Sequence, residues 1–413
     1  MTTLLTDSPA SLAGAALVLA LLAPLGAAEK VPEASSPAAV KPGQTALVRP
    51  DKGMSYFLRL PASYQPKRGA RLILFLHGSS MNGLEYLRSF EAKRWCTDDI
   101  LVCPNGEQGA DPHGQCNFTF ESAPLVAGVT REVTGAFKAR QVYIGGHSQG
   151  GFVTYSAILL FPDLYHGAFP MAGDCWIQNE PNLWQDRPAI LEKQRKIAIA
   201  VIHGKQDPVV RFAQGKHAHD IFVVMGYPRV RLFAPERLGH QFMLSPVPEA
   251  LEWLDGMVGD DAARRVAVAE ASARDKEWGW AVEAAKDVAD LKNAPAAAKK
   301  RAALVLKAAE AAAPREVKAM MVAMAKEPAE KWLPRWYEFR RLHGNTQTAR
   351  TLVERFEKDR ADQRAAGARL HQEARASFQR GAKEEGREVL RRLLKEAPAA
   401  YEAYYAVEWL KEG

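Results

Sequence analysis

Residues Arg140 to Gly151 read Arg-Gln-Val-Tyr-Ile-Gly-Gly-His-Ser-Gln-Gly-Gly, and this stretch decides the fold. A short β-branched and aromatic run (Val142, Tyr143, Ile144) gives way to glycines, one serine, two more glycines and then the apolar helical pattern Phe152 to Phe161. The pattern Gly-x-Ser-x-Gly at Gly146, Ser148 and Gly150 thus lies between a strand and a helix, the context in which it presents an exposed nucleophile. Such a turn forces the serine into a strained backbone conformation, and side chains at the flanking positions would collide with strand or helix. The hydroxyl is lifted clear of the sheet at a helix N-terminus, whose dipole favours a developing negative charge.

Three further stretches complete a catalytic set in chain order. Leu72-Ile-Leu-Phe-Leu-His77-Gly78-Ser79-Ser80 reads as a strand buried on both faces of a parallel sheet, ending in a glycine turn that aims backbone N–H groups into a pocket. The N–H groups of Ser79 (or Gly78) and Gln149 are the candidate oxyanion donors. Lys196-Ile-Ala-Ile-Ala-Val-Ile-His203-Gly204-Lys-Gln-Asp207-Pro208 is a second buried strand that presents a carboxylate just beyond its end, held in place by the proline. Asp207 is the candidate partner for a general-base histidine, with Asp174 after the preceding strand as the alternative. The strand Arg229 to Ala234 is followed by Leu238-Gly239-His240, and His240 is the candidate base. His77 and His203 read as turn residues and His147 as the variable position of the motif. His217 and His219 point to different faces of a helix, so they are not read as a metal pair.

With these residues in view, the chain resembles an α/β-hydrolase. More narrowly it resembles the phospholipase/carboxylesterase branch and the secreted esterases related to polyhydroxybutyrate depolymerases and feruloyl esterases. The matching pieces are Phe75-Leu-His-Gly-Ser79, Gly146-His-Ser-Gln-Gly-Gly151, His203-Gly-Lys-Gln-Asp-Pro-Val-Val210 and Gly239-His240, within residues 44 to 257. The resemblance implies a Ser148–His240–Asp207 triad, oxyanion roles for Gln149 and Ser79, and a mostly parallel central sheet flanked by helices. The loop after His77-Gly78 lacks the further glycine or cysteine common in such relatives. Gln115 to Phe120 matches their tryptophan-bearing loop only loosely, which leaves acyl and alcohol specificity open.

At 413 residues the chain allows two domains after a targeting segment. Ser11 to Ala28 is apolar and ends in small residues, so residues 1–28 are expected to be a secretory signal with a secreted or periplasmic product. The leading segment has no Lys or Arg and carries Asp7, and an uncleaved membrane anchor is the alternative. Residues 29–43 read as a disordered lead-in, residues 44–258 as the hydrolase domain and residues 259–413 as an all-α C-terminal region. Cys96, Cys103, Cys116 and Cys175 allow three pairings; a Cys116–Cys175 bridge would tie two loops near the site, and buried free thiols are the alternative. Most of the net charge of +7 falls beyond residue 259, where Lys and Arg alternate with Glu as on a solvated helical face.

The hydrolase region alternates strand and helix as βαβ units require. Its hairpin is expected at Thr45 to Arg49 and Met54 to Leu60. Two long connections, Pro104 to Ala123 and Gly173 to Arg195, emerge at the strand C-termini, where Phe118, Phe120 and Trp176 are candidates to line an ester pocket, with a structural lid as the equal alternative. The C-terminal region reads as helices over 262–291, 296–313, 316–326, 346–380, 383–396 and 399–411, punctuated by Pro295, Pro314, Pro328 and Pro398. Its last pair resembles one tetratricopeptide-like unit, but a single repeat cannot bury a core, and a generic helical appendage is the preferred reading. The functional expectation is a serine ester hydrolase needing no metal or organic cofactor, acting on small-molecule or polymer-linked esters. The tail is expected to meet a protein or anionic surface, and no nucleic-acid partner is expected. A serine peptidase, a polysaccharide de-esterifying enzyme and an inert hydrolase-fold scaffold are the rival readings.

Overall fold

A computed structural model of the chain describes residues 31–109, 111–119, 121–175 and 188–411. The unbroken apolar runs form the centre of a nine-stranded sheet: β1 (Glu33–Ala34), β2 (Thr45–Val48), β3 (Tyr56–Arg59), β4 (Ala70–Leu76), β5 (Ile100–Pro104), β6 (Ala139–His147), β7 (Gly167–Met171), β8 (Ala198–Ile202) and β9 (Val230–Phe233). Their order is β1-β2-β3-β5-β4-β6-β7-β8-β9. β3 runs antiparallel to β2 and β5, and every pair from β5 to β9 is parallel. Crossovers of this kind need helices on both faces, which is why Leu72 to Leu76 are all fully buried.

Side chains alternate across the strands. Ile73, Phe75, Tyr143, Phe169 and Ala200 enter one buried cluster with α1 (Gly83–Ala92) and α6 (Val247–Val258). The other face receives α2 (Ala123–Ala136), α3 (Gln149–Leu160) and α5 (Phe212–Val224), with Tyr155 stacked on Phe222. The short α4 (Pro188–Gln194) lies in the second long connection, which reads from sequence as loop.

Two compact units account for the chain: Val31–Ala312 with Arg341–Thr346, and Ala313–Arg340 with the segment beginning at Gln347. In the first, the core does not stop where the composition changes. α7 (Ala262–Arg274), α8 (Trp278–Ala285) and the start of α9 (Ala296–Lys326) add Val266, Ala269, Ala281, Val288 and Ala302 to the cluster beneath the sheet. Arg229, next to β9, anchors α8 through a buried ion pair with Glu283 at 2.7 Å, and Asp287 adds a second carboxylate at 3.3 Å. In the second unit, α10 (Ala329–His343), α11 (Arg350–Gln379), α12 (Lys383–Glu396) and α13 (Tyr401–Lys411) pack around aromatic and guanidinium contacts. Trp336 stacks on Phe356 at 4.1 Å, and buried Arg360 lies over Tyr401 at 4.3 Å while donating to the Ala399 carbonyl.

Several expectations are corrected here. The lead-in is ordered from residue 31: Glu33 and Ala34 pair in parallel with Leu47 and Val48, and Pro37 and Val40 are buried. Pro314 does not end a helix, because α9 continues through it on an alanine-rich sequence whose helix propensity offsets one lost hydrogen bond. α10, which carries Pro334 internally, lies where the periodicity shows no helix. All four cysteines are free thiols, three of them buried, so the Cys116–Cys175 bridge is absent.

Glu283 is 1% exposed, and its loss would leave the buried Arg229 with only the half-exposed Asp287 and the Lys196 carbonyl as partners. Glu283→Ala is expected to lower stability by about 3–5 kcal/mol in chemical denaturation. A change below about 1 kcal/mol would show that the pair carries no structural weight.

Candidate active site

The serine turn is built from backbone that leaves no room for side chains. A Cβ on Gly146 would stand 2.3 Å from the Gly150 carbonyl oxygen, and one on Gly150 would stand 2.4 Å from that of Leu76. Packed this closely, the chain can reverse from β6 into α3 only by placing Ser148 at φ 55°, ψ −118°. That conformation is rare for any residue with a Cβ, and the surrounding bonds hold it. Ser148 N–H donates to the Met171 carbonyl at 2.9 Å, and Gly151 N–H returns to the Ser148 carbonyl at 2.8 Å. Among the described residues the Ser148 hydroxyl has no hydrogen-bond partner.

The acid and base meet across two loops. His240 Nδ1 donates to Asp207 Oδ2 at 2.7 Å, and Asp207 Oδ1 accepts the amides of Val209 and Val210, both at 2.9 Å. Burial pushes the Asp207 carboxyl up, but the His240 contact and these two amides outweigh it and hold the group below the ordinary carboxylate range. The bond fixes the imidazole tautomer: Nδ1 carries the proton, and Nε2 is left as acceptor. Asp174, the alternative acid, is engaged elsewhere and accepts from His217 Nδ1 at 3.0 Å and from the Cys175 amide. His219 pairs with Asp220, so the two helix histidines serve different carboxylates.

The turn after β4 approaches the nucleophile closely: a Cβ on Gly78 would stand 3.6 Å from the Ser148 Cβ. This turn is itself strained, with Ser80 at φ 59° and its amide held by Asn117 Oδ1 at 2.9 Å. Gly150 N–H is taken by the His77 carbonyl at 3.1 Å. Among the described residues the amides of Ser79 and Gln149 donate to no protein acceptor, which leaves both available to a ligand oxygen. Gln149 also clamps the first long connection, accepting the Phe118 amide at 3.0 Å.

Phe118 is 2% exposed and packs on the His77 ring at 4.6 Å, so it supports the turn from beneath rather than facing open space. The reason is local: the bridges Met81–Cys116 and Gln108–Asn117 fold the connection back against the strand ends. Phe120 and Trp176 lie outside the described residues. His77 and His203 are fully buried and bonded to backbone carbonyls.

His147 plays a larger part than its place in the motif suggests. It is 6% exposed, its ring centroid lies 4.7 Å from that of His240, and its Nε2 lies 3.0 Å from the His240 carbonyl oxygen. Burial drives its pKa down from 6.5 to about 3, helped by repulsion from His240. Burial also lowers His77 and His203.

This makes the fold sensitive to acid. Above about pH 6.5 neither state protonates His147; below it the unfolded chain binds a proton that the folded chain refuses until near pH 3, so stability falls on acidification. His147 alone contributes a loss of about 2 kcal/mol at pH 5. Denaturation midpoints measured near neutrality and at about pH 5 should differ in that sense, and His147→Gln should narrow the gap. A midpoint unchanged by pH would contradict a buried neutral imidazole.

Residues 120–255 match the Phospholipase/Carboxylesterase family. The chain is 20% identical over 229 residues to acyl-protein thioesterase 1 of Candida albicans, a match covering 49% of this chain and 97% of that protein. It is 31% identical over 90 residues to the probable carboxylesterase SOBER1-like of Arabidopsis thaliana, covering 22% of this chain and 32% of that protein. Among solved structures, acyl-protein thioesterase 2 of Zea mays aligns over 51% of this chain and 97% of its own at 18% identity, with a TM-score of 0.39. The strand order, the strained serine turn and the matched segment together give this chain an α/β-hydrolase fold, similar over residues 120–255 to the phospholipase/carboxylesterase family.

Proposed function

We propose that the domain is a serine hydrolase of carboxylic esters. The observation that carries this reading is the Asp207–His240 hydrogen bond, made on a loop that also rests on His147, the neighbour of the strained Ser148. In the proposed reaction Ser148 Oγ attacks the ester carbonyl carbon while His240 Nε2 takes its proton. Asp207 stabilises the imidazolium so formed. The carbonyl oxygen becomes an oxyanion facing the Ser79 and Gln149 amides, each worth about 3 kcal/mol by comparison with similar donors. The C–O bond to the alcohol then breaks, and His240 returns its proton to the leaving oxygen. Water, deprotonated by His240, attacks the acyl-enzyme; the acid departs and Ser148 recovers its proton.

The names of the thioesterase relatives favour one further reading, an acyl thioester cleaved by the same residues. The leaving atom is then sulfur, and the better leaving group places less demand on His240 as acid. Short p-nitrophenyl esters, acyl thioesters, feruloyl esters, acetylated sugars and peptides, tested on the full chain, separate these substrates from the peptidase and polysaccharide readings.

Ser148→Ala is expected to abolish p-nitrophenyl acetate and butyrate hydrolysis with thermal unfolding nearly unchanged; surviving turnover would refute the assignment. Asp207→Asn should lower kcat by about 10⁴-fold, since an amide in that place favours the wrong imidazole tautomer. Failure of a fluorophosphonate to label the folded protein would favour an inert scaffold.

A further inference from the structure

The x position before the nucleophile is occupied by a histidine that the reaction above does not use. His147 is buried, is the last residue of β6 before the serine turn, and touches two other parts of the site. On one side the Tyr86 hydroxyl, from α1, lies 2.6 Å from its Nδ1. On the other, its Nε2 lies 3.0 Å from the backbone carbonyl of His240. A carbonyl oxygen can only accept, so Nε2 carries the proton and Nδ1 receives the Tyr86 O–H. The chain of bonds is therefore directional: Tyr86 O–H to His147 Nδ1, His147 Nε2–H to His240 O. We propose that Tyr86 and His147 are positioning residues that fix the base loop relative to the nucleophile, an inference that rests on the triad reading above.

The geometry gives this relay a specific task. The His240 side chain is held by Asp207, but a side-chain bond alone lets the loop backbone pivot about it. The His147 bond supplies a second fixed point on the same residue, on its backbone. Because His147 is covalently joined to Ser148, that point is referred directly to the nucleophile, one peptide away. A third contact comes two residues on, where Phe242 packs on Tyr86 at 4.9 Å and Phe75 at 5.0 Å, so α1 reaches the base loop both through its hydroxyl and through its ring. Gly78, in the turn carrying the proposed oxyanion amide, adjoins the same pair: a Cβ there would stand 3.2 Å from the Tyr86 hydroxyl and 3.4 Å from His147 Nδ1. Nucleophile, base and oxyanion turn thus share one hydrogen-bonded post. The buried site also keeps His147 neutral, so it does not compete with His240 for the serine proton.

A purely packing role and a positioning role make different predictions. His147→Phe keeps a ring and removes the donor, whereas His147→Gln keeps an N–H that reaches the same carbonyl. With the full-length protein and p-nitrophenyl acetate, His147→Phe should lower kcat by on the order of 10- to 100-fold, the scale of a misplaced catalytic group, with KM within about twofold. Its thermal unfolding should remain close to that of the parent, and His147→Gln should recover most of the loss. Tyr86→Phe, which removes one oxygen, should lower kcat several-fold and serves as the test if His147→Phe does not fold. A folded His147→Phe with full kcat, a Gln variant no better than Phe, or a Tyr86→Phe with undiminished kcat overturns the inference. Fluorophosphonate labelling of the parent at Ser148 separates the two failures. Labelled parent with undisturbed variants removes only the relay, whereas unlabelled parent removes the triad and the relay with it.

Discussion

One backbone constraint organises this molecule: a serine held in a left-handed conformation because the chain around it has no room to relax. The carbonyls of Leu76 and Gly150 approach so closely that Gly146 and Gly150 cannot carry side chains, and Ser148 absorbs the resulting strain. The cost of such a conformation is of order 1–3 kcal/mol. It is offset by the parallel pairing of β4, β6 and β7, whose ends converge on the turn. Everything else in the site is arranged with respect to that turn. The His77 carbonyl accepts from Gly150, Gln149 secures the first long connection, and His147 carries the base loop.

The central sheet was legible because parallel strands buried on both faces leave a plain trace, an apolar run closed by glycine. Leu72 to Leu76 and Ile197 to Ile202 are of this kind, and both are buried strands ending in His-Gly. The Asp207–His240 meeting was legible for the same reason, since strand ends fix where their loops emerge. His147 was not. A variable position in a motif reports nothing about its surroundings, and its two partners come from sequence separations of 61 and 93 residues. Phe118 shows the opposite error, for an aromatic on a loop above a sheet suggests a pocket wall, while the Gln149 bond turns its backbone inward and buries the ring.

The helical half was legible by composition and not by boundary. α10 has its apolar residues at Trp332, Leu333, Trp336 and Phe339, a helical spacing, but Pro334 in their midst obscures it. Composition also suggested a change of domain after residue 258. The buried cluster continues instead through small residues, Ala262, Ala269, Ala281, Ala284 and Ala302, which let α7, α8 and α9 lie close. Alanine is the residue that solvated helices also favour, so sequence alone does not distinguish the two uses.

The four unpaired sulfurs have a wider consequence. Cys103, Cys116 and Cys175 fill space as small apolar groups, and burial raises each thiol above its ordinary range, so little thiolate forms. Among the described residues no covalent cross-link holds the first long connection, which is secured by bonds such as that from the Phe118 amide to Gln149. The described fold around the site is therefore held by packing and hydrogen bonds, with the sulfurs acting as apolar filler.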